Sequence, residues 1–124
     1  MKPELKARWI AALRSGKFKQ GRNFLARNNE FCCLGVACEV FKDDIQLKVT
    51  ETKDLDLRNH YKMYEGSKYA LPTRLMEYLE LSGSGAEFPS PIKVGIHKVA
   101  SPIGLNDTLG FTFAQIADII EEQF

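Results

Sequence analysis

The sequence predicts an α+β fold, three to four helices with a small, mainly antiparallel sheet. Three observations carry this. Apolar residues recur at helical spacing near both ends of the chain and in two stretches between them. Short runs of alternating polarity lie among those stretches. Asn, Gly and Pro clusters separate the two kinds of segment. A length of 124 residues is that of a single domain, 1–124, and 44% hydrophobic with 27% charged residues is an ordinary globular composition.

The elements follow in order. Pro3 suits the first turn of a helix, where its missing N–H costs nothing. Leu5, Trp9, Ile10 and Leu13 form its apolar stripe, and Gly16 is placed to close it. Residues 17–23 form a basic connector. Residues 24–27 and 30–33 flank Asn28-Asn29, a pair that tolerates the positive φ of a primed turn, so a hairpin is expected there. From Leu34, the apolar positions Leu34, Ala37, Cys38 and Phe41 predict a buried central helix. Gly35 lies inside it for close packing or for the start of the helix.

Asp43-Asp44 end that helix. Ile45, Leu47 and Val49 alternate as a half-buried strand. Residues 51–68 read as a polar loop with extended structure near Tyr61 to Tyr64. A third helix opens at Leu71-Pro72, with Leu71, Leu75, Met76 and Leu79 inward, and stops at residues 82–85. Ile92, Val94 and Ile96 predict another strand. Residues 101–110 read as a turn-rich loop. The last helix has a capping box in Thr112 and Gln115, flanked by the staple residues Phe111 and Ile116.

The formal net charge of +1 excludes a uniformly basic nucleic-acid binder and makes nucleic acid an unexpected partner. That sum hides a segregation. Residues 1–30 carry eight basic side chains against Glu4 and Glu30, an excess of six, while the remainder has an acidic excess of five. Such a segment can present a positive field to an anion, or its charges can cancel against the acidic remainder. No apolar run is long enough for a membrane span, and no signal-peptide core is present, so a cytosolic setting is expected.

Cys32, Cys33 and Cys38 are odd in number and crowded, which predicts free, buried thiols in a reducing compartment and not a disulfide framework. Their spacing does not match a zinc site, and no metal or cofactor is expected. A catalytic thiol would need His60 or His97 as its base.

Lys17, Phe18, Lys19, Gln20, Gly21 and Arg22 form a loop that reads as a solvated connector or as a wrap around a phosphate. Tyr61, Tyr64 and Tyr69 offer stacking faces, or simply cover the core. His97 follows a strand and could orient a phosphate. Asn106-Asp107 reads as turn chemistry.

Three blocks then stand out. The first is Trp9-Ile10-Ala11-Ala12-Leu13-Arg14-Ser15-Gly16-Lys17-Phe18-Lys19-Gln20-Gly21. The second is Phe31-Cys32-Cys33-Leu34-Gly35-Val36-Ala37-Cys38. The third joins Leu105-Asn106-Asp107 to residues 111–120, Phe-Thr-Phe-Ala-Gln-Ile-Ala-Asp-Ile-Ile. Together they resemble the W-x-x-A-L-R-S-G, F-C-C-L-G-V and L-N-D…T-F-x-x-I-A-D motifs of a group of small bacteriophage and prophage proteins. The blocks span both ends of the chain, and residues 42–100 have no counterpart. The resemblance implies a phage accessory protein made in a bacterial cytoplasm. It brings no catalytic residues with it.

The function expected from these readings is non-enzymatic binding of a host-derived anionic small molecule, such as a nucleotide immune signal. Lys17, Lys19, Arg22, Tyr61, Tyr64 and His97 are the candidate contacts, and a homo-oligomer is compatible with such a site. Two alternatives stand beside it. One is inhibition of a host protein through the 51–69 loop. The other is a small cysteine-dependent enzyme.

Overall fold

The computed structural model describes residues 1–53 and 59–124. Five helices occur among the described residues: α1 (Pro3–Arg14), α2 (Cys33–Phe41), α3 (Thr73–Tyr78), α4 (Pro102–Asp107) and α5 (Phe113–Gln123). Five short strands form a mixed sheet: β1 (Lys19–Gln20), β2 (Ala26–Arg27), β3 (Glu30–Phe31), β4 (Val49–Lys53) and β5 (His60–Tyr64). Their order across it is β1-β3-β2-β5-β4, and only β1 and β3 run parallel. A separate hairpin joins β6 (Ile92–Val94) to β7 (His97–Val99). The α+β class holds, with one helix more than the upper expectation.

Helix α2 is the axis of the core. Residues 33 to 38 and Phe41 are buried on it. Helix α1 buries Leu5, Trp9, Ile10 and Leu13 beside α2 and α5. The indole Nε1–H of Trp9 donates to the Cys33 carbonyl at 3.1 Å, so the one polar atom of this buried ring is satisfied. Gly35 explains itself by contact: a Cβ there would stand 1.7 Å from the Leu25 carbonyl oxygen. Only glycine lets the helix backbone lie against the segment that leads into β2.

The expected Asn28-Asn29 hairpin forms. Both residues take positive φ, 54° and 61°, and β2 pairs with β3 in the register Arg27–Glu30 and Ala26–Phe31. The capping box of α5 forms as well, with Gln115 N–H donating to Thr112 Oγ1 and Thr112 N–H to Gln115 Oε1.

Four expectations are corrected. Residues 101–110 are not a plain loop: Pro102 sits at the start of α4, where its fixed φ favours a helix, and Leu105 and Asn106 are buried on it. Residues 45–48 are not a strand, because Gln46 takes φ 52° and breaks the extended run; β4 begins at Val49. Within 51–68, the extended structure expected near Tyr61 to Tyr64 forms as β5, but residues 51–53 are not loop: they belong to β4, which pairs with β5 from Val49–Tyr64 to Lys53–His60; residues 54–58 of the expected loop lie outside the described residues. Finally, Ile92, Val94 and Ile96 do not share one strand. Gly95 takes φ 61° at the first position of a two-residue loop, which turns the chain back and leaves Ile96 98% exposed at the tip.

Candidate functional site

Three of the eight basic side chains in residues 1–30 pair with carboxylates among the described residues. Arg8 pairs with Asp44 at 2.7 Å, Arg14 with Asp118 and Glu121 at 2.6 and 3.1 Å, and Lys19 with Glu30 at 3.2 Å. The Arg8 bond holds the Asp44 carboxyl below its usual range, against the smaller opposing effect of burial. Lys2, Lys17, Arg22 and Arg27 have no carboxylate partner among the described residues.

The candidate contacts named from the sequence separate in space. Tyr64 is fully buried on the inner face of the sheet, and its hydroxyl donates to Glu39 at 2.7 Å. Its ring offers no stacking surface. Burial and the Glu39 carboxylate both push its ionisation up. Arg22 lies over Gly110, its Nη2 2.6 Å from where a side-chain carbon would stand. Lys17 is an exposed connector residue. His97 is exposed on β7, beside a small hollow that Gly104 and Thr108 also line.

Lys19 and Tyr61, in contrast, share a surface. Cross-strand register places Lys19, Glu30, Arg27, Tyr61 and Thr52 in one row across the sheet, and residues directly opposite one another project from the same face. This outer face carries a cluster of rings. Phe24 lies 4.9 Å from Tyr61 and 5.2 Å from Tyr69, centroid to centroid. The Arg27 guanidinium sits 4.4 Å above Phe24, and Lys68 Nζ sits 5.0 Å from Tyr61. A backbone bond from Leu25 N–H to the Lys68 carbonyl holds the Lys68-Tyr69 segment beside β2. Tyr69 is 59% exposed, and neither Arg27 nor Lys68 has a carboxylate partner among the described residues.

On the opposite face a cleft of about 410 Å³ opens, and its lining includes Asn29, Phe31, Glu51, His60 and Lys62 together with Tyr61 from the row. Its charges are mixed. Glu51 opposes an anion, and Lys62 leans toward Glu39 at 3.5 Å. Concave shape favours the cleft and charge favours the outer face. For an anionic ligand, charge decides.

The three thiols are fully buried. Burial pushes Cys32 up to about 12, and Cys33 and Cys38 well above the ordinary thiol range. A nucleophilic cysteine needs a depressed pKa and access. These have neither, while both histidines are exposed, so the cysteine-enzyme alternative loses its chemistry. Among the described residues, no group of His, Cys, Asp and Glu is arranged to hold a metal ion, and no helix is long and apolar enough to cross a membrane.

Residues 1–124 match the family described as DUF8296, a domain of unknown function. The chain belongs to that family. No curated protein and no solved structure matches it. In this DUF8296 domain, residues of the first and third sequence blocks meet around one buried amide. Asn106 Nδ2 donates to the Gly21 carbonyl at 2.9 Å and to Asp107 Oδ1 at 2.7 Å. Gln20 donates to Asn106 Oδ1 and to the Phe111 carbonyl, and accepts from Phe113 N–H. The negative charge of Asp107 adds to the rise in the Cys32 and Cys33 thiols. Both side-chain amides of this brace are fully hydrogen-bonded within the protein, which makes it a strut and not a ligand site.

Sequence reasoning missed Phe24, Arg27 and Lys68. The hairpin signal at Asn28-Asn29 could have exposed Arg27, since it fixes which residues of β2 and β3 face outward. Lys68 carries no such signal.

Proposed function

We propose that this domain is a non-catalytic binding protein for an anionic small molecule bearing a ring system, a nucleotide in the simplest case, held on the outer face of the sheet. One observation carries the reading: Arg27 and Lys68 are seated on aromatic rings with no carboxylate partner among the described residues, beside the exposed ring of Tyr69. A flat base stacks on an aromatic side chain regardless of sequence, and a guanidinium presents forked donors to phosphate. Lys19, tied to Glu30, lies at the far end of the row and limits the positive surface. Resemblance to phage and prophage proteins supports a host nucleotide signal as ligand, with antagonism of host defence, in the host cytoplasm, as the consequence.

Calorimetry against cyclic and ADP-ribose-type nucleotides tests this. Binding should weaken with added salt. Arg27→Ala and Tyr69→Ala should each weaken it at least about tenfold, the loss of one charge-assisted or stacking contact. If no nucleotide binds, or if both variants bind like the parent, the reading fails.

Inhibition of a host protein by surface contact has its own supporting feature, away from the 51–69 region first expected. The β6–β7 tip projects Ile96 beside His97, and Lys93 stands directly opposite Lys98. Like charges facing across a hairpin are unfavourable unless an acidic surface meets them. A stoichiometric host partner captured by the parent and lost with Ile96→Asp would favour this reading over the first.

A further inference from the structure

Strand β4 ends the sheet, and its outer edge, unpaired by any strand among the described residues, carries an antiparallel self-match. The strand reads Val49-Thr50-Glu51-Thr52-Lys53, and only its β5 side is hydrogen-bonded within the sheet. An open edge is a template for another strand. A second copy can add to it about a two-fold axis perpendicular to the sheet, which keeps the inner and outer faces of both copies aligned.

The register of such a pairing is set by charge. Centring the axis on Thr52 places Thr52 opposite its own copy, and Glu51 opposite Lys53 of the second copy, twice. Centring it on Glu51 would set the two carboxylates against each other, and centring it on Thr50 pairs no charges of opposite sign within the described strand. Glu51 and Lys53 have no ion-pair partner among the described residues, so both are available for this pairing.

We infer that the protein forms a homodimer by antiparallel β4–β4 addition centred on Thr52, locked by the reciprocal Glu51–Lys53 pairs. The dimer stands independently of the ligand reading, and where both hold it bears on the ligand's shape. Tyr61 is the neighbour of Thr52 in the outer-face row. Pairing Thr52 with its copy therefore sets the two Tyr61 residues on one continuous face, three strand spacings or about 14 Å apart. The two ring-and-cation clusters then form one two-fold platform, suited to a ligand with two ring systems joined by phosphates.

Sedimentation velocity on the full chain, without ligand, tests the dimer. The parent should show a concentration-dependent species of twice the chain mass. Glu51→Lys and Lys53→Glu should each weaken dimerisation at least about tenfold, because both pairs become like-charged. Mixing the two variants should restore it, since every facing pair is then opposite in sign; the doubly exchanged chain should dimerise with itself. Melting temperatures close to that of the parent show that the variants are folded. A parent that stays monomeric, a dimer indifferent to both variants, or a mixture that fails to recover would each overturn the inference. Loss of nucleotide binding with the dimer intact would instead count against the ligand reading alone.

Discussion

Gln20 and Asn106, 86 positions apart in sequence, share a 2.8 Å hydrogen bond from Gln20 Nε2 to Asn106 Oδ1. Asn106 is fully buried, and through it the β1 strand is tied to helix α4. A satisfied buried amide is stabilising mainly because removing it strands its partners. Asn106→Ala leaves the Gly21 carbonyl without its donor and Gln20 Nε2 without one of its two acceptors. The expected loss is about 2–3 kcal/mol in urea unfolding. A change below about 0.5 kcal/mol, the size of an ordinary surface substitution, would show that the brace is not structural.

Gly35→Ala tests the contact between α2 and Leu25. The added methyl would meet the Leu25 carbonyl oxygen at 1.7 Å, and neither the helix nor the segment around the buried Leu25 can yield without opening the core. The gain of about 1 kcal/mol in helix propensity is outweighed by a clash of at least about 3 kcal/mol. The variant should express poorly or melt well below the parent. An equal or higher melting temperature would mean that the two segments are not in contact.

What could be read from the sequence was local. Asn28-Asn29, Thr112 with Gln115, and the stripe from Leu5 to Leu13 involve neighbours whose geometry is fixed by backbone sterics and helical pitch. Two errors came from patterns that fit more than one structure. Ile92, Val94 and Ile96 alternate as a strand would, but Gly95 between them turns the chain. Pro102, Gly104, Asn106 and Asp107 are all turn formers, yet proline at the first position of a helix reads the same way.

The site was less legible because it depends on face and on distant partners. Tyr61 and Tyr64 are three apart on one strand, so they must point to opposite faces; strand parity alone excludes a joint stacking role. The basic excess of the first thirty residues was visible, but which of its charges are paired was not. Arg8 and Arg14 find their carboxylates 36 and more than 100 positions away. Only the folded chain brings Arg27 and Lys68 together on Phe24 and Tyr61.

The thiols give a third prediction. With burial raising all three above the ordinary value of 9.0, the folded protein keeps its thiol protons where the unfolded chain gives them up. Their contribution to stability is therefore complete below about pH 9 and is lost as pH rises from there through the folded values, Cys32 near 12. At pH 8 a thiol-specific disulfide reagent should label none of the three in the native state and all three in denaturant. Rapid native labelling of Cys32 would mean that it is accessible, and would return the thiol-enzyme alternative to consideration.

Glu39 gives the opposite pH dependence. Its side chain is only 12% exposed, and burial alone would raise its pKa. Hydrogen bonds from Tyr64 and Lys42 and the charge of Lys62 outweigh that, so the pKa falls below the ordinary value of 4.5. A lowered folded pKa stabilises the protein above about pH 4.5 and ceases to do so as pH drops through the folded value. Glu39→Gln keeps the shape and an acceptor for Tyr64 but removes the charge that Lys42 and Lys62 face. It should cost about 1–3 kcal/mol at pH 7, in the range of hydrogen bonds to a charged group. The difference from the parent should shrink steadily in acid, because the parent's own Glu39 becomes neutral there. A penalty that stays constant from pH 7 to pH 3 would mean that glutamine fails by packing, and that the carboxylate charge contributes nothing to holding α2 against β5.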